Sequence, residues 1–310
     1  MHIVAGKGGV GKSTLTAVLA RAAAARGLSV LVLAVESAGP LPRLLGLDAE
    51  PGALAEPTVA PAAGLPGAVA LQVLSPDRAL LEYLEDHGLG GLARRLAKAQ
   101  TVELVAYGAP GMKDLLVLGK IKQLERAGAA EVILVDGPAS GQAIGFLRAP
   151  AALAQSARTG PIHHQAVAVL ALLADPARCQ VLLVATAEET PVNELVETAF
   201  ALEEEVGVQL GPVAVNALHP ARRLPDEDAS AEAVAGLDPA LAAALVHAAR
   251  FRRRRQQLQA DQLARLAAAL PLPQLLLASR PSPELGPADV AVLAAELTDQ
   301  LAAGLLSPAS

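Results

Sequence analysis

The sequence contains little cysteine and no long uncharged apolar run. One cysteine, Cys179, occurs among 310 residues, so a single chain can form no disulfide, no Cys-x-x-Cys redox pair and no cysteine-based zinc site. This usage is typical of a reducing cytoplasm, which is where we expect the protein to act. The chain enters its first predicted strand almost at once, which predicts that it has no signal peptide. No uncharged apolar run reaches the roughly 18 residues that a membrane span needs.

An excess of positive charge is also missing. The net charge is -6 at pH 7, which argues against broad nucleic-acid binding because that binding needs a basic surface to neutralise phosphates. Without a membrane span, any membrane contact is expected to be peripheral at most. With 53% hydrophobic and 18% charged residues, the chain can bury a large core. We therefore expect one sizeable domain over residues 1–310.

What the sequence does contain is a phosphate-binding motif near its start. The pattern G-x-x-x-x-G-K-[ST] is met by Gly6, Lys7, Gly8, Gly9, Val10, Gly11, Lys12 and Ser13. An apolar stretch at 3–5 precedes the motif and a helical pattern over 13–26 follows it, which is the strand-loop-helix setting that this motif requires. We predict that this run and the adjacent Thr14 bind a nucleotide. A glycine-rich turn without function is the alternative for the same residues.

The residue types of the motif indicate what it binds. The glycines let backbone N–H groups face phosphate oxygens, and the following helix contributes the positive end of its dipole. Lys12 is expected to neutralise the β- and γ-phosphates, and the Ser13 hydroxyl to bind Mg²⁺. A second apolar strand, 131–135, leads into Asp136, which is typical of the carboxylate that holds Mg²⁺ beside a phosphate loop. The predicted cofactor is therefore Mg²⁺ together with ATP or ADP.

Strands alternate with helices along the chain, which predicts an α/β fold with a doubly wound, mostly parallel sheet of the P-loop NTPase type. Because ligands of such sheets bind at the carboxyl ends of strands, we expect Glu36, Asp136 and Asn216 to share one edge with the phosphate loop. Residues 77–127, with 151–175, are predicted to form a helical insertion. The predicted strands are 29–35, 70–74, 131–135, 180–185, 212–215 and 275–277. The predicted helices outside the insertion are 13–26, 41–47, 229–248, 254–270 and 287–305, and one further helix with Thr190 as its N-cap and Pro191 as its first residue.

These residues resemble those of the deviant Walker-A ATPases. That class includes the arsenite-pump ATPase, the ATPase of tail-anchored protein targeting, the septum-site and chromosome-partition ATPases and the nitrogenase iron protein. Lys7, ahead of Lys12, is the signature residue of the class, and Asp136 accompanies it. Three further stretches are similar to the arsenite-pump and tail-anchored-targeting branch: 75–83 (SPDRALLEY), 109–115 (APGMKDL) and 136–150 (DGPASGQAIGFLRAP).

The resemblance implies a Mg²⁺-dependent ATPase that binds ATP in a sandwich dimer. In such a dimer Lys7 would reach the partner's phosphates and work like an arginine finger, stabilising charge that develops in phosphoryl transfer. Asn216 would hydrogen-bond the adenine. The partner would be a second copy or a related ATPase, and the switch would act on a protein client that the sequence does not identify.

Two departures from the family pattern limit what the resemblance implies. The family's first switch has an aspartate, followed by proline, that orients the attacking water, whereas this chain has Glu36 followed by Ser37 and Ala38. Glu36 is one methylene longer and is our candidate for that role. With only two methionines in the chain and a short segment at 151–175, the sequence argues against a Met-rich groove for a transmembrane helix. The paired zinc cysteines are missing, and one thiol cannot form a three-thiolate arsenite site.

Two other functions stay open from the residues alone. Glu36 in place of aspartate is compatible with a nucleotide-dependent switch of low turnover, or with the weak half of a heterodimer. The basic run 250–255 (RFRRRR) and the helix at 287–305 would support a partition- or septum-type ATPase that acts on DNA or a membrane. The plainer interpretation of the basic run is a solvated helix start balanced by nearby acidic residues.

Overall fold

The computed structural model describes residues 1–48, 51–61, 64–99, 109–220, 234 and 236–303. In these ranges eight strands form one sheet: β1 His2–Gly6, β2 Val30–Val35, β3 Thr58–Val59, β4 Val69–Leu74, β5 Val132–Ala139, β6 Gln180–Thr186, β7 Val213–Leu218 and β8 Gln274–Ala278. Their order is β3-β4-β2-β5-β1-β6-β7-β8. All neighbouring pairs are parallel except β3 and β4. The predicted α/β class with a mostly parallel sheet is confirmed.

Helices cover both faces of this sheet, as expected when parallel strands are joined by crossover connections. The described helices are α1 Lys12–Ala25, α2 Leu41–Leu45, α3 Pro76–Asp86, α4 Gly90–Ala99, α5 Met112–Arg126, α6 Ser140–Ser156, α7 Pro161–Leu173, α8 Glu189–Ala201, α9 Pro239–Ala269 and α10 Pro287–Ala302. Helices α1, α2 and α10 pack together on one face, and α5 to α9 lie on the other.

Strand β1 shows why the sequences of the core strands are continuous apolar runs. Ile3 and Ala5 belong to the core cluster beneath α5 to α9, whereas Val4 belongs to the cluster beneath α1 and α10. All three side chains are buried. Because successive side chains of a strand point to opposite faces, a strand that is covered on both faces needs apolar residues at every position. This places β1, and the loop that follows it, at the centre of the molecule.

The helices predicted as an insertion divide between two packing environments. Helices α3 and α4 form a small cluster of their own with one face of α5, and its buried members are Ala79, Leu80, Leu84, Ala93 and Leu116. The opposite face of α5 packs in the sheet core through Leu118 and Ile121, and α7 does so through Ala166 and Val169. A separate subdomain over 77–127 and 151–175 stays a prediction, and its helices α5 and α7 contribute to the sheet core.

Two helix predictions in the later half of the chain were wrong. The region predicted as helices 229–248 and 254–270 contains one continuous helix, α9, whose start is capped by Asp238 accepting from the N–H groups of Ala240 and Leu241. The run 250–255 lies inside this helix, since arginine is a good helix former and does not interrupt it. Residues 229–233 lie outside the described part.

The predicted N-cap at Thr190 was also wrong. Helix α8 begins at Glu189, with Glu188 in an extended conformation as its N-cap residue. The Glu188 side chain makes no capping hydrogen bond and instead pairs with Arg255 at 3.2 Å. Pro191 therefore lies within the first turn, where its missing N–H costs no intrahelical hydrogen bond.

Candidate functional site

The phosphate loop leaves the carboxyl end of β1, which lies between β5 and β6, and leads directly into α1. Gly9 and Gly11 have φ angles of 85° and 98°, a region that glycine adopts at little cost. A Cβ atom on Gly11 would also collide with the side-chain amide of Asn216. Position 11 therefore requires glycine both for its backbone conformation and for the close approach of Asn216.

Asp136 lies in β5 beside this loop, with Val4 of β1 as its neighbour in register. The Ser13 hydroxyl donates to Asp136 Oδ2 at 2.7 Å. The Thr16 hydroxyl lies 3.4 Å from Asp136 Oδ1 and donates to Lys12 O at 3.0 Å. The structure thus brings together Ser13 and Asp136, the two predicted Mg²⁺ ligands. Thr16 was missed by the sequence analysis, although a spacing of three residues from Ser13 places it on the same face of α1.

The charged groups of the loop are partly desolvated. Burial is the main cause that raises the pKa of the Asp136 carboxyl, while the hydrogen bond from Ser13 and the charge of Lys12 oppose that rise. Burial also lowers the pKa of the Lys12 ammonium, and Asp136 opposes that change. Lys12 Nζ donates to Lys7 O at 3.3 Å. Phosphates beside Lys12 and a divalent cation beside Asp136 would relieve both desolvation costs.

Replacing Asp136 by asparagine is expected to raise the thermal midpoint of the nucleotide-free protein by about 2 °C at pH 8. Because the folded-state pKa of Asp136 is raised, the folded protein holds this proton more tightly than the unfolded chain, and stability falls as the pH rises through the folded pKa. The gain should therefore shrink as the pH falls toward the ordinary aspartate value of 3.8. Thermal melts across pH measure it. A variant that melts below the wild type at pH 8 would contradict desolvation as the cause.

Lys7 makes a long-range contact within its own chain. Its Nζ lies 2.5 Å from Glu194 Oε1 on α8, and both side chains keep more than a third of their surface exposed. An ion pair with this exposure contributes little to stability, but it fixes where the Lys7 ammonium lies. The sequence analysis missed Glu194, because no local pattern distinguishes it from the nearby Glu189 and Glu197.

Glu36 follows β2 at the same edge of the sheet, with φ of 65°. In the described ranges, Glu36 and Ala217 are the two non-glycine residues with positive φ. Such conformations cost energy and concentrate at functional sites. The Glu36 carboxylate accepts from Lys113 Nζ at 3.0 Å, at the start of α5. Lys113 is a second partner that the sequence analysis did not identify.

Asn216 lies near the end of β7 and contacts the phosphate loop. Its Nδ2 donates to Val10 O at 2.9 Å, so the side chain supports the loop from two strands away. The adjacent Ala217 has φ of 57°. The predicted hydrogen bond from Asn216 to adenine stays a prediction, and the contact with Val10 is what the structure adds.

The geometry agrees with a comparison to known families. Residues 1–278 match the family described as the CobQ/CobB/MinD/ParA nucleotide binding domain, a span that includes the phosphate loop, Asp136 and Asn216. The chain belongs to this family. Its P-loop domain is therefore a nucleotide-binding domain of the MinD and ParA type. This family is broader than the arsenite-pump and tail-anchored-targeting branch that the sequence resembles.

Two of three relatives of this CobQ/CobB/MinD/ParA-family chain are named as ATPases. ATPase BagA of Mycobacterium tuberculosis is 33% identical over 240 residues, which cover 74% of this chain and 68% of that protein. Mb3704 of Mycobacterium bovis has the same identity and coverage and carries a provisional ATPase name. Protein Rv2184c of Mycobacterium tuberculosis is 33% identical over 162 residues, which cover 49% of this chain and 37% of that protein. The first two names support ATPase activity in this domain.

The residues beside the loop fit a magnesium ion bound together with a nucleotide. Mg²⁺ is usually held by one or two carboxylates and by substrate phosphates. Asp136 supplies a half-buried carboxylate and Ser13 a hydroxyl 2.7 Å from it. When bound there, Mg²⁺ would neutralise charge on the phosphates. As for membranes, the helices in the described ranges include none that is both long and apolar enough to cross a bilayer.

Proposed function

We propose that the chain is a Mg²⁺-dependent ATPase whose ATP-bound form closes into a dimer and whose hydrolysis step reopens it. The observation that carries the proposal is the arrangement of Lys12, Ser13 and Asp136 around one phosphate loop, with Lys7 projecting from the same loop. The motif stretches quoted above support the arsenite-pump and tail-anchored-targeting branch as the closer relationship. The client would be a protein that binds the open and the closed form with different affinity.

The reaction follows from the charges at the loop. Lys12 would neutralise the β- and γ-phosphates, and Ser13 and Asp136 would hold the Mg²⁺ that accompanies them. Water attacks the γ-phosphorus and the bond from that phosphorus to the β–γ bridging oxygen breaks. The products are ADP and inorganic phosphate, and the proton lost from the water passes to the phosphate or to solvent. The second protomer's Lys7 stabilises the charge on the transferred phosphoryl group. Glu36 orients the attacking water once its carboxylate is released from Lys113.

ATP-dependent dimer formation is the direct test of this function. Light scattering of the purified chain is expected to give the mass of a monomer without nucleotide and of a dimer with ATP and Mg²⁺, and the dimer should dissociate as ATP is consumed. A mass that does not respond to ATP, together with steady hydrolysis by the monomer, would remove the dimer from the mechanism.

Lys7 has to leave Glu194 before it can reach a second protomer. Glu194→Gln is therefore expected to strengthen ATP-dependent dimerisation by about two- to fivefold, since an exposed ion pair costs up to about 1 kcal/mol to break. The matched control is Glu197→Gln, an exposed glutamate one turn further along α8. Light scattering against protein concentration, with ATP present, measures the change. Weaker dimerisation of Glu194→Gln would mean that Glu194 positions Lys7 in the closed form as well.

A low-turnover switch, or one subunit of a heterodimer, is the second candidate function. It is favoured by the ion pair between Glu36 and Lys113 at 3.0 Å, which engages the carboxylate that would orient water. The neighbouring Asp114 has a raised pKa, chiefly because of burial. Its carboxyl also interacts electrostatically with Lys113 and Glu36. Brisk ATP hydrolysis by the purified chain alone would exclude this candidate, and nucleotide-dependent dimerisation without turnover would favour it.

We do not extend the proposal to DNA or membranes. Within the basic run 250–255, Arg255 pairs with Glu188 at 3.2 Å and Arg252 donates to Pro220 O at 3.3 Å. These two arginines are engaged within the chain. Helix α10 contains no lysine or arginine, so it lacks the basic face that attracts an anionic membrane.

A further inference from the structure

A cavity of about 200 Å³ lies between α3, α5 and α7, in a part of the fold that the ATPase mechanism does not use. Ala79 and Tyr83 of α3, Leu116 and Gly119 of α5 and Gln165 of α7 contribute to its wall. A Cβ atom on Gly119 would meet the flexible end of the Gln165 side chain, so the glycine lets this side chain lie close against α5. The close contact between Gly119 of α5 and Gln165 of α7 therefore forms part of the cavity wall.

The charges that line this cavity do not balance. Three cationic side chains, those of Lys120, Lys122 and Arg126, face two carboxylates, those of Glu82 and Asp86. Lys120 pairs with Glu82 at 2.6 Å. Lys122 Nζ donates to the uncharged Gln165 Oε1 at 2.8 Å. Among the described residues, no carboxylate forms an ion pair with Lys122 or Arg126.

Lys122 and Arg126 also repel each other. They are four residues apart on α5, and like charges at this spacing destabilise a helix. Burial lowers the pKa of Lys122, and the charge of Arg126 lowers it further. Arg126 is exposed at the rim of the cavity and Lys122 is half-buried. An anion placed between the two cations would reduce this repulsion and give both a counter-charge.

Tyr83 contributes to the cavity wall through its ring, because its hydroxyl is closed off from the accessible space. The hydroxyl of Tyr83 is buried and has no hydrogen-bond partner in the described part of the chain. A buried hydroxyl without a partner costs free energy. The Tyr83 ring lies against the His87 ring, with centroids 4.1 Å apart, and it forms a flat wall beside the apolar Ala79 and Leu116.

We propose that this cavity binds a small organic anion whose acidic group lies between Lys122 and Arg126. The body of the ligand packs on Ala79 and Leu116, so an anion with an apolar part is favoured over a bare inorganic ion. The acidic group is a carboxylate or a phosphate monoester, since both accept charge-assisted hydrogen bonds from lysine and arginine.

This ligand site is distinct from the nucleotide site. Helix α5 begins next to Glu36, through Lys113. The two cations that would hold the acidic group, Lys122 and Arg126, lie about 14 and 20 Å further along the helix axis, at 1.5 Å per residue. Occupancy of the cavity can therefore be measured without ATP, and a failure to bind leaves the proposed ATPase function untouched.

Tyrosine fluorescence provides the test, because the chain has no tryptophan and two tyrosines. In a Tyr107→Phe background, Tyr83 is the remaining emitter. Benzoate and phenyl phosphate are the anionic probes, inorganic phosphate tests the acidic group alone, and benzamide is the neutral match for benzoate. We expect a saturable change in Tyr83 emission with one of the two organic anions, with Kd of about 1 mM or below for a ligand of this size. Which of them binds identifies the acidic group.

Variants in the same Tyr107→Phe background show whether the anion binds at Lys122 and Arg126. Arg126→Gln and Lys122→Gln should each weaken binding at least about tenfold, because each removes a charge-assisted contact. Arg95→Gln, an exposed arginine of α4 outside the cavity lining, should bind like the parent. A circular-dichroism spectrum and a thermal midpoint like those of the parent verify that each variant is folded. The proposal is overturned if neither organic anion gives a saturable change, if benzamide binds as well as benzoate, or if both glutamine variants bind like the parent.

Discussion

Lys12→Ala is expected to lower the ATP turnover of the purified protein at least about a hundredfold and to weaken its binding of ATP. Lys12 is the first residue of α1, and its Nζ lies 3.3 Å from the Lys7 carbonyl oxygen of the phosphate loop. Removing one preorganised group that stabilises charge in a transition state typically costs 10² to 10³ in rate. Because the Lys12 ammonium is partly desolvated, its attraction to phosphates is stronger than that of a surface lysine.

Steady-state hydrolysis and calorimetric titration with ATP and Mg²⁺ measure these two losses. Lys98→Ala is the matched control, since Lys98 is an exposed lysine in the last turn of α4, and it should retain the wild-type rate and affinity. Equal turnover in Lys12→Ala and the wild type would exclude catalysis at this loop, whatever the family of the chain.

Lys7→Ala is expected to lower turnover about a thousandfold while ATP affinity of the monomer changes by less than about threefold. The rate effect is that of a charge supplied in trans, for which 10³ to 10⁵ is typical. The affinity is preserved because, within its own chain, the Lys7 ammonium contacts Glu194 rather than a neighbour on the phosphate loop. Lys7→Ala is therefore expected to lose turnover and keep its ATP affinity, whereas Lys12→Ala should lose both turnover and affinity.

Mixing two inactive variants tests whether Lys7 acts across a dimer. Lys7→Ala keeps its own phosphate loop and Asp136, whereas Asp136→Asn keeps Lys7. A mixed dimer has one site in which an intact loop and Asp136 meet Lys7 from the other protomer. Turnover should reappear on mixing and depend on ATP-driven dimerisation. No recovery, although light scattering shows mixed dimers, would place the action of Lys7 within its own chain.

Local sequence was sufficient to predict the elements around the site. The phosphate loop is defined by eight successive residues, so its motif is visible in the sequence. Gly9 and Gly11 of this loop have positive φ angles, which glycine adopts at little cost. The two-sided burial of β1 and β2 requires continuous apolar runs, which can be read directly. The boundary predicted around 250–255 was wrong because a run of arginines does not interrupt a helix. The N-cap predicted at Thr190 was wrong because capping depends on which partner a side chain contacts. Glu188 pairs with Arg255 on a distant helix instead of capping α8.

The candidate site was predictable only in part, for a similar reason. Ser13 and Asp136 could be placed together because a motif relates a loop to the strand beside it. Lys113 could not be assigned to Glu36, since the pair is separated by 77 residues and forms only because β2 ends next to the start of α5. Asn216 was expected at the correct edge of the sheet, but its hydrogen bond to Val10 requires the order β1-β6-β7.

The sequence by itself determined the phosphate loop, the mostly parallel α/β fold and the type of nucleotide chemistry, because each depends on neighbouring residues or on simple periodicity. The tertiary structure decided which charges meet. It paired Lys7 with Glu194 across 187 residues, and it placed Lys122 and Arg126 beside a cavity where no carboxylate of the described residues forms an ion pair with them. These contacts follow from strand order and helix packing, which bring together residues that share no local pattern.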